Sequence, residues 1–370
     1  MVSLLAAAVG AVIAATHAAA ATPHPVTLYA RANTTVAAFA QDGPLVAWFY
    51  KARNAKGCNG VHVLSLGNGL QADLPQQGRA RNVTCTWPVG STPVQLALAG
   101  SNVLWTLREQ APIPFDYLIG AGVRLGDQRE RRFQEVAHTK TGPGLWLGGI
   151  AGDKSTLVYG VTAVDYVDEA GCLAGTASCD LTITGGGVYR MDGRLQPKLI
   201  SGTDHEGAVA VAASDGAVAY VPTSTLGPQG RPLAGADLPI DVIDATTGTS
   251  ISRVTPQGTP VALALTPHYV ATLERTTLGL RVAWYSRASG TAAGSVPVSA
   301  QAAPQLTATD KAIVYRVGRS IRSVDIDSHD LKTLARAAAQ PIGLSLEGVR
   351  LAWAENLKHS ARIRALTITQ

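Results

Sequence analysis

A β-hairpin motif that returns about seven times constrains the fold more than any other feature of this 370-residue chain. Its clearest copy spans residues 92–106, where Val94, Leu96 and Leu98 alternate with smaller or polar residues. Apolar residues at every second position are typical of a strand, because successive side chains point to opposite faces. Residues 100–102, Gly-Ser-Asn, then supply a tight turn before a second strand.

The second strand of the motif ends in Trp or Tyr in six of its seven copies, so the copies are related and not coincidental. Its copies end at Trp48, Trp105, Tyr159, Tyr220, Thr272, Tyr315 and Trp353. The motif recurs every 40 to 60 residues, roughly the spacing of four-stranded propeller blades. A third and a fourth strand follow most hairpins, as in residues 240–244 and 251–254.

These units predict an all-β fold, a seven-bladed β-propeller. The last unit ends after residues 362–368 with no fourth strand, whereas residues 25–31 form a strand with no partner in their own unit. We therefore expect the N-terminal strand to complete the last blade, which removes exposed sheet edges. Small residues such as Ala97 and Ala212 suit the crowded axis. A β-sandwich, or a ring of six or eight blades, is the alternative interpretation.

Residues 1–21 are apolar and rich in alanine, which predicts a signal peptide followed by a single domain over residues 22–370. The mature protein is then secreted or periplasmic, with no membrane span after signal removal. The net charge is +5, but the basic residues are dispersed, which argues against a nucleic-acid partner. We expect a monomer.

The four cysteines, Cys58, Cys85, Cys172 and Cys179, suggest disulfide bonds in an exported chain. Three pairings are possible. In a propeller, loops between second and third strands share a face with the connections between blades. Cys58 and Cys85 lie in one segment of each kind, so we expect them to pair, with Cys172 bonded to Cys179 within one insertion.

Three predicted insertions lie between second and third strands, at residues 107–120, 161–185 and 221–239, and therefore on one face. Loops held by a rigid frame commonly carry function, which makes this face the candidate binding surface; the alternative is that the loops differ only in length. Seven residues on or near this face are candidate contacts: Trp87, Asp116, Tyr117, Asp165, Tyr166, Asp168 and His205.

Acidic residues are grouped at Asp165, Asp168 and Glu169, but they do not follow the spacing of a calcium-binding loop. The sequence contains no Gly-x-Ser-x-Gly elbow and no His-Glu-x-x-His motif. We therefore predict no catalytic residues, no metal site and no cofactor.

Two phrases, Ser-Asp-Gly-Ala-Val-Ala-Tyr at residues 214–220 and Ala-Gly-Ser-Asn-Val-Leu-Trp at 99–105, resemble the strand–turn–strand element of bacterial TolB-type and WD40-like propeller proteins. The resemblance implies a scaffold that binds proteins, with no shared catalytic residues. Our first hypothesis is a non-enzymatic propeller that binds a protein or cell-envelope partner through its loop-rich face. The second is a hydrolase or lyase that acts on a glycan or lactone where the central channel opens on that face.

Overall fold

The computed structural model describes residues 24–52, 60–74, 92–109, 115–122, 133–138, 143–177, 179–204, 207–222 and 238–368. Within these residues the chain forms 28 strands and one short helix. The strands pair into seven antiparallel groups of four, numbered here as blades in chain order. One parallel contact, between Trp146 and His138, joins the second group to the third.

Blades 1 to 4 contain β2 (Thr34–Asp42), β3 (Leu45–Ala52), β4 (Gly60–Ser65), β5 (Gln71–Leu74); β6 (Thr92–Ala99), β7 (Asn102–Glu109), β8 (Phe115–Gly122), β9 (Phe133–His138); β10 (Gly144–Asp153), β11 (Thr156–Tyr166), β12 (Leu181–Met191), β13 (Pro197–Leu199); and β14 (Ala208–Ser214), β15 (Ala217–Pro222), β16 (Ile240–Asp244), β17 (Ser250–Val254). Blades 5 to 7 contain β18 (Thr259–Leu265), β19 (Tyr269–Thr276), β20 (Gly279–Ser286), β21 (Ala292–Val298); β22 (Ala302–Ala308), β23 (Ala312–Val317), β24 (Ser320–Asp325), β25 (Leu331–Arg336); and β26 (Pro341–Glu347), β27 (Arg350–Asn356), β28 (Ser360–Thr367) with β1 (Val26–Ala32). Helix α1 (Glu169–Ala174) lies between β11 and β12.

The first strand of the chain belongs to the last blade. β1 pairs antiparallel with β28, with Val26 opposite Ala365 and Tyr29 opposite Ile363. This is the pairing that the short last repeat and the unpaired N-terminal strand predicted. It makes blade 7 four-stranded, in the order β1-β28-β27-β26.

Side chains also connect blade 7 to blade 1. The Asn356 amide accepts a hydrogen bond from the Val36 N–H at 2.7 Å and donates one to the Val36 carbonyl at 2.9 Å. At the other end of β2, Gln41 donates to the carbonyls of Ser345 and Arg350. The two blades nearest the chain ends are therefore joined by polar contacts at both ends of their inner strands.

The core lies between blades and is built around the aromatic residues that recur in the second strands. The six aromatic residues of this set are buried, as are the apolar residues of the neighbouring blade against which they pack. In blade 5, Thr272 occupies the equivalent position and donates to Glu274 Oε1 at 2.7 Å. Glu274 is fully buried and also binds Arg281 and the Tyr285 hydroxyl, so its charge is compensated.

The antiparallel pairing defines two faces. The turn face carries the turns between first and second strands, which are two or three residues long in every blade. The loop face carries the connections between second and third strands and those between blades. Because inner strands run from the loop face to the turn face, their N-terminal halves lie nearer the loop face.

Two of the predicted insertions are shorter than expected. β7 continues to Glu109 and β8 begins at Phe115, and β11 and β12 extend to the pair Tyr166–Leu181. The sequences here alternate apolar or β-branched with polar residues, so they continue the ladder instead of forming a loop. The loop between β11 and β12 is therefore residues 167–180, named here the stapled loop.

Candidate functional site

The inner strands of all seven blades surround a central cavity space. A cavity of about 490 Å³ lies toward the turn face and a second of about 430 Å³ toward the loop face. Seven residues line both cavities, one from each blade: Phe39, Leu96, Ile150, Val211, Leu263, Leu306 and Leu344. This set is named here the apolar collar.

The apolar collar follows from strand register. Each member lies opposite the recurrent position of the second strand that is aromatic in six blades. Phe39, for example, lies opposite Trp48, and Leu344 lies opposite Trp353. In every inner strand the register shifts within the residues just before the collar position. The prediction that small side chains line the axis holds for Ala97 and Ala212, which line the cavity nearer the turn face, but a larger apolar residue from each blade lies between the two cavities.

The side chains that line the cavity on the loop-face side are mainly apolar. Among its described lining residues, the polar side chains are two glutamines, and both are engaged by the protein. Gln95 Oε1 accepts from the Ile150 N–H at 3.1 Å, and Gln305 Oε1 accepts from Arg316 Nε at 2.8 Å. The described lining of this cavity therefore includes no acidic or basic side chain.

Carboxylates converge at the opposite end, on the turn face. Oxygens of Asp42, Asp153 and Glu347 lie within 4.8 Å of one another, the one such acidic group found in the described part of the chain. We call these three residues the carboxylate cluster. Asp42 starts the turn of blade 1, Asp153 that of blade 3 and Glu347 that of blade 7. They meet because equivalent turns of different blades surround the same cavity.

Each carboxylate of the cluster binds the backbone of another blade. Asp42 accepts hydrogen bonds from the N–H groups of Gly100 in blade 2 and Lys154 in blade 3, the latter at 2.9 Å. Asp153 accepts from the Asp215 N–H in blade 4 at 2.7 Å. Glu347 accepts from the Gly43 N–H in blade 1. The cluster therefore links turns of five blades.

Burial and mutual repulsion change the acidity of two of these groups. Burial is the largest cause that raises the pKa of Asp153, and the charge of Asp42 adds to it. Burial also raises the pKa of Glu347, with further contributions from Asp42 and Asp153. A carboxyl that is partly desolvated beside like charges holds its proton more tightly.

The contacts give the carboxylate cluster a structural role. Hydrogen bonds between a carboxylate and backbone N–H groups are among the stronger ones, so they hold the turns of neighbouring blades together. The cluster lies at the turn-face end of the cavity space, whereas the second sequence hypothesis concerns the end that opens on the loop face.

Three of the predicted contact residues lie at the stapled loop. Asp165 and Tyr166 end β11, and Asp168 is the N-cap of α1, where its Oδ1 accepts from the Gly171 N–H at 2.8 Å. The predicted Cys172–Cys179 disulfide is present, with Cα atoms 4.8 Å apart. The acidic residues of this loop are exposed, in agreement with the expectation of a solvated acidic loop.

Two of the other predicted contacts lie in a strand. Asp116 and Tyr117 are part of β8, opposite Arg108 and Leu107, so the expectation of a loop position for them is wrong. Their side chains lie outside the described part of the structure, as do Trp87, His205, Cys58 and Cys85.

The sequence alone did not predict that the three residues of the carboxylate cluster lie close together. The signal was an acidic residue at the same position of three repeats, Asp42, Asp153 and Glu347. In a propeller, equivalent turns surround one axis. An acid repeated at that position therefore predicts convergence even when the residues are far apart in sequence.

Solved structures with a similar overall fold are found at low sequence identity. One is the β-propeller domain of the trilobed protease from Pyrococcus furiosus, 9 % identical, covering 90 % of this chain and 95 % of that chain with a TM-score of 0.51. The fold is a β-propeller. A chain of the mitotic checkpoint complex is 12 % identical, covers 97 % of this chain and 98 % of its own, and also has a TM-score of 0.51. No protein-family model and no curated protein matches the sequence. At these identities the likeness concerns the fold alone.

Proposed function

We propose that this propeller is an exported, non-enzymatic binding protein whose loop face engages a protein or cell-envelope partner. One observation carries the proposal: the stapled loop extends from the loop face with Leu173 77 % exposed and Val167 66 % exposed. A partner that covers these two side chains would remove their apolar surface from water, which favours association. The resemblance to TolB-type and WD40-like repeats supports the same function.

The stapled loop projects because its flanking strands are long. β11 and β12 have 11 residues each, whereas the corresponding strands of blades 5, 6 and 7 have six to eight. Three extra residues extend a strand by about 10 Å. A paired two-stranded arm holds its tip further from the blade, where a partner reaches it without contacting the rest of the face.

Export and ring closure are part of the proposal. Disulfides persist in oxidising compartments, so the Cys172–Cys179 bond supports export and a signal peptide at residues 1–21. Residues 22–370 are then the single exported domain of the proposal. The described part of the chain has no helix that is long and apolar enough to span a membrane. β1 in blade 7 and the Asn356 and Gln41 contacts support a ring closed by the N-terminal strand.

The experiment is affinity capture from an extract of the source organism's cell envelope with the oxidised full chain as bait. A matched variant replaces residues 167–180 by Asn-Gly. The strands still pair up to Tyr166 and Leu181, and a two-residue turn joins such a pair. A second variant, Asp327→Asn with Asp330→Asn, changes the exposed turn face instead.

We expect a protein captured by the full chain and by the turn-face variant, with about tenfold lower recovery on the loop-replacement variant. Circular dichroism and thermal unfolding establish that all three baits are folded. If no protein is enriched over a bait-free column, the proposed function is wrong. Equal recovery on all three baits would exclude the stapled loop as the contact.

A further inference from the structure

The stapled loop and the two strand ends beside it differ in charge from the rest of the protein. Residues 165–180 contain Asp165, Asp168, Glu169 and Asp180 and no Lys, Arg or His. Since the whole chain carries +5 and this segment −4, the remainder carries +9. All four carboxylate residues are exposed. The segment is thus a local acidic patch on a basic protein.

The apolar side chains of the stapled loop are held in place by local structure. Asp168 caps the start of α1, and Gly175, with a φ of 68°, ends it in the left-handed region. The Val167 N–H donates to the Asp180 carbonyl at 2.9 Å, and the disulfide joins the two sides of the loop. Leu173, between Cys172 and the helix end, is therefore presented to solvent in an ordered conformation.

One glycine shows how closely the stapled loop is packed. A Cβ on Gly171 would lie 2.2 Å from Asp168 Oδ2 and 2.7 Å from the Ala177 Cβ. The Gly171 backbone is therefore closely surrounded by the capping residue and by Ala177, and it is the buried residue of α1.

Apolar residues surrounded by carboxylates select a particular partner. Burial of Leu173 and Val167 in an apolar pocket removes them from water, and basic groups at the rim compensate the carboxylates. Anionic lipid surfaces and nucleic acids are repelled by this charge pattern. We propose that the stapled loop inserts Leu173 and Val167 into an apolar pocket of a partner protein whose rim carries lysine or arginine. This inference rests on the proposed function and specifies its partner.

Five of the described basic side chains are already engaged within this chain. Arg281 binds Glu274, Arg362 binds Glu355, and Arg350 binds Gln41 and the Gly43 carbonyl. Lys154 and Lys311 are paired with Asp215 and Asp327. These five cations are therefore poorer acceptors for the acidic loop of a second copy, and the crosslinking test distinguishes a second copy from a different protein.

The test begins with site-specific photo-crosslinking. The full, oxidised chain carries a photo-reactive leucine analogue at position 173, or at position 278 as the control, and is irradiated in the envelope extract. Leu278 is 99 % exposed in the turn between β19 and β20 on the same face, but it has no acidic surroundings from a stapled loop. Mass spectrometry identifies the protein joined to position 173.

The captured protein is then purified, and its Kd for the full chain is measured by titration in 50 and 500 mM NaCl. We expect Leu173→Ser and Val167→Ser each to raise the Kd about tenfold, and Asp165→Asn with Glu169→Gln to raise it several-fold at low salt. The controls Leu278→Ser and Asp327→Asn with Asp330→Asn should leave it within about twofold. Higher salt should weaken wild-type binding.

Several results would overturn the inference: a crosslink from position 173 to a second copy of this chain, a Kd unchanged in Leu173→Ser and Val167→Ser, or a Kd lowered by removal of the two acidic charges. A protein that the bait captures but that does not crosslink at position 173 would leave the proposed function intact and reject this inference. Capture of no protein would reject both.

Discussion

The carboxylate cluster and the stapled loop use their acidic residues in different ways. In the cluster, on the turn face, Asp42 and Asp153 bind backbone N–H groups of other blades. At the stapled loop, on the loop face, Asp165 and Asp168 bind the N–H groups of Tyr166 and Gly171, which are close to them in sequence. Acids that join blades are fixed by the architecture. Acids that cap a local loop leave that loop free to change without disturbing the contacts between blades.

The largest effect expected from this comparison is at Asp42. Its replacement by alanine removes the charged acceptor of the Gly100 and Lys154 N–H groups and should lower the free energy of unfolding by about 3 kcal/mol. Chemical denaturation of Asp42→Ala and Asp42→Asn measures it, and the asparagine variant should fall between wild type and alanine. A loss below about 0.5 kcal/mol for alanine would contradict the role of the turn face in joining blades.

The disulfide of the stapled loop should have a smaller, local effect. Cys172→Ser with Cys179→Ser removes a short-loop crosslink worth about 2 kcal/mol to the loop itself, but the blades do not depend on that loop. We expect global stability to fall by less than about 1 kcal/mol. Proteolysis within residues 167–180 should become faster.

Reduction of the wild-type protein is the control for that variant. It should reproduce the faster cleavage and should have no effect on the double serine variant. If reduction or the double serine variant lowered the denaturation midpoint as much as Asp42→Ala does, the blades would depend on the stapled loop. That result would contradict the contrast drawn between the loop and the carboxylate cluster.

The smallest effect expected is a gain at Asp153. Its pKa is raised by burial and by Asp42, so the folded state favours the protonated form and ionisation is a cost at pH 7. The stabilisation that its proton provides is fully present below the ordinary value of 3.8 and is lost as the pH rises through the folded value. Asp153→Asn should therefore stabilise the protein slightly at pH 7, and the gain should vanish toward acid pH.

Asp215 provides a control of opposite sign for this measurement. Its pKa is lowered, chiefly by the hydrogen bond from Lys154, so its charge favours folding at neutral pH and that contribution is lost as the pH falls. Asp215→Asn should therefore be neutral or destabilising at pH 7. Denaturation midpoints of both variants between pH 4 and 8 would test the sign, and equal shifts for both would contradict it.

Much of the fold could be predicted from local patterns. Alternation and turn residues predict the hairpins, and the aromatic residue repeated in the second strand marks a position that is buried in the core, as Trp105 and Trp353 show. The bounds of the strands are harder to predict. Three consecutive glycines, residues 185–187, are typical of a loop or bulge, but they lie within β12, which pairs with β11 in a ladder whose register shifts between Ala163 and Val164.

The candidate site was predicted in part. Asp168 and the Cys172–Cys179 pair are close in sequence, so their proximity follows from the chain itself. The exposure of Leu173 could not be predicted from the sequence, because apolar residues are more often buried. Only the structure shows that this side chain is exposed.

The sequence by itself determined the strands, the four-stranded repeat and the small disulfide-bonded loop, because each depends on residues within about one hairpin of one another. Only the tertiary structure decided what lies at the centre. Asp42 and Glu347 are 305 positions apart and the members of the apolar collar come from seven separate repeats. Arrangement of the blades around a common axis brings equivalent positions of different repeats close together. No local preference of the chain specifies that arrangement.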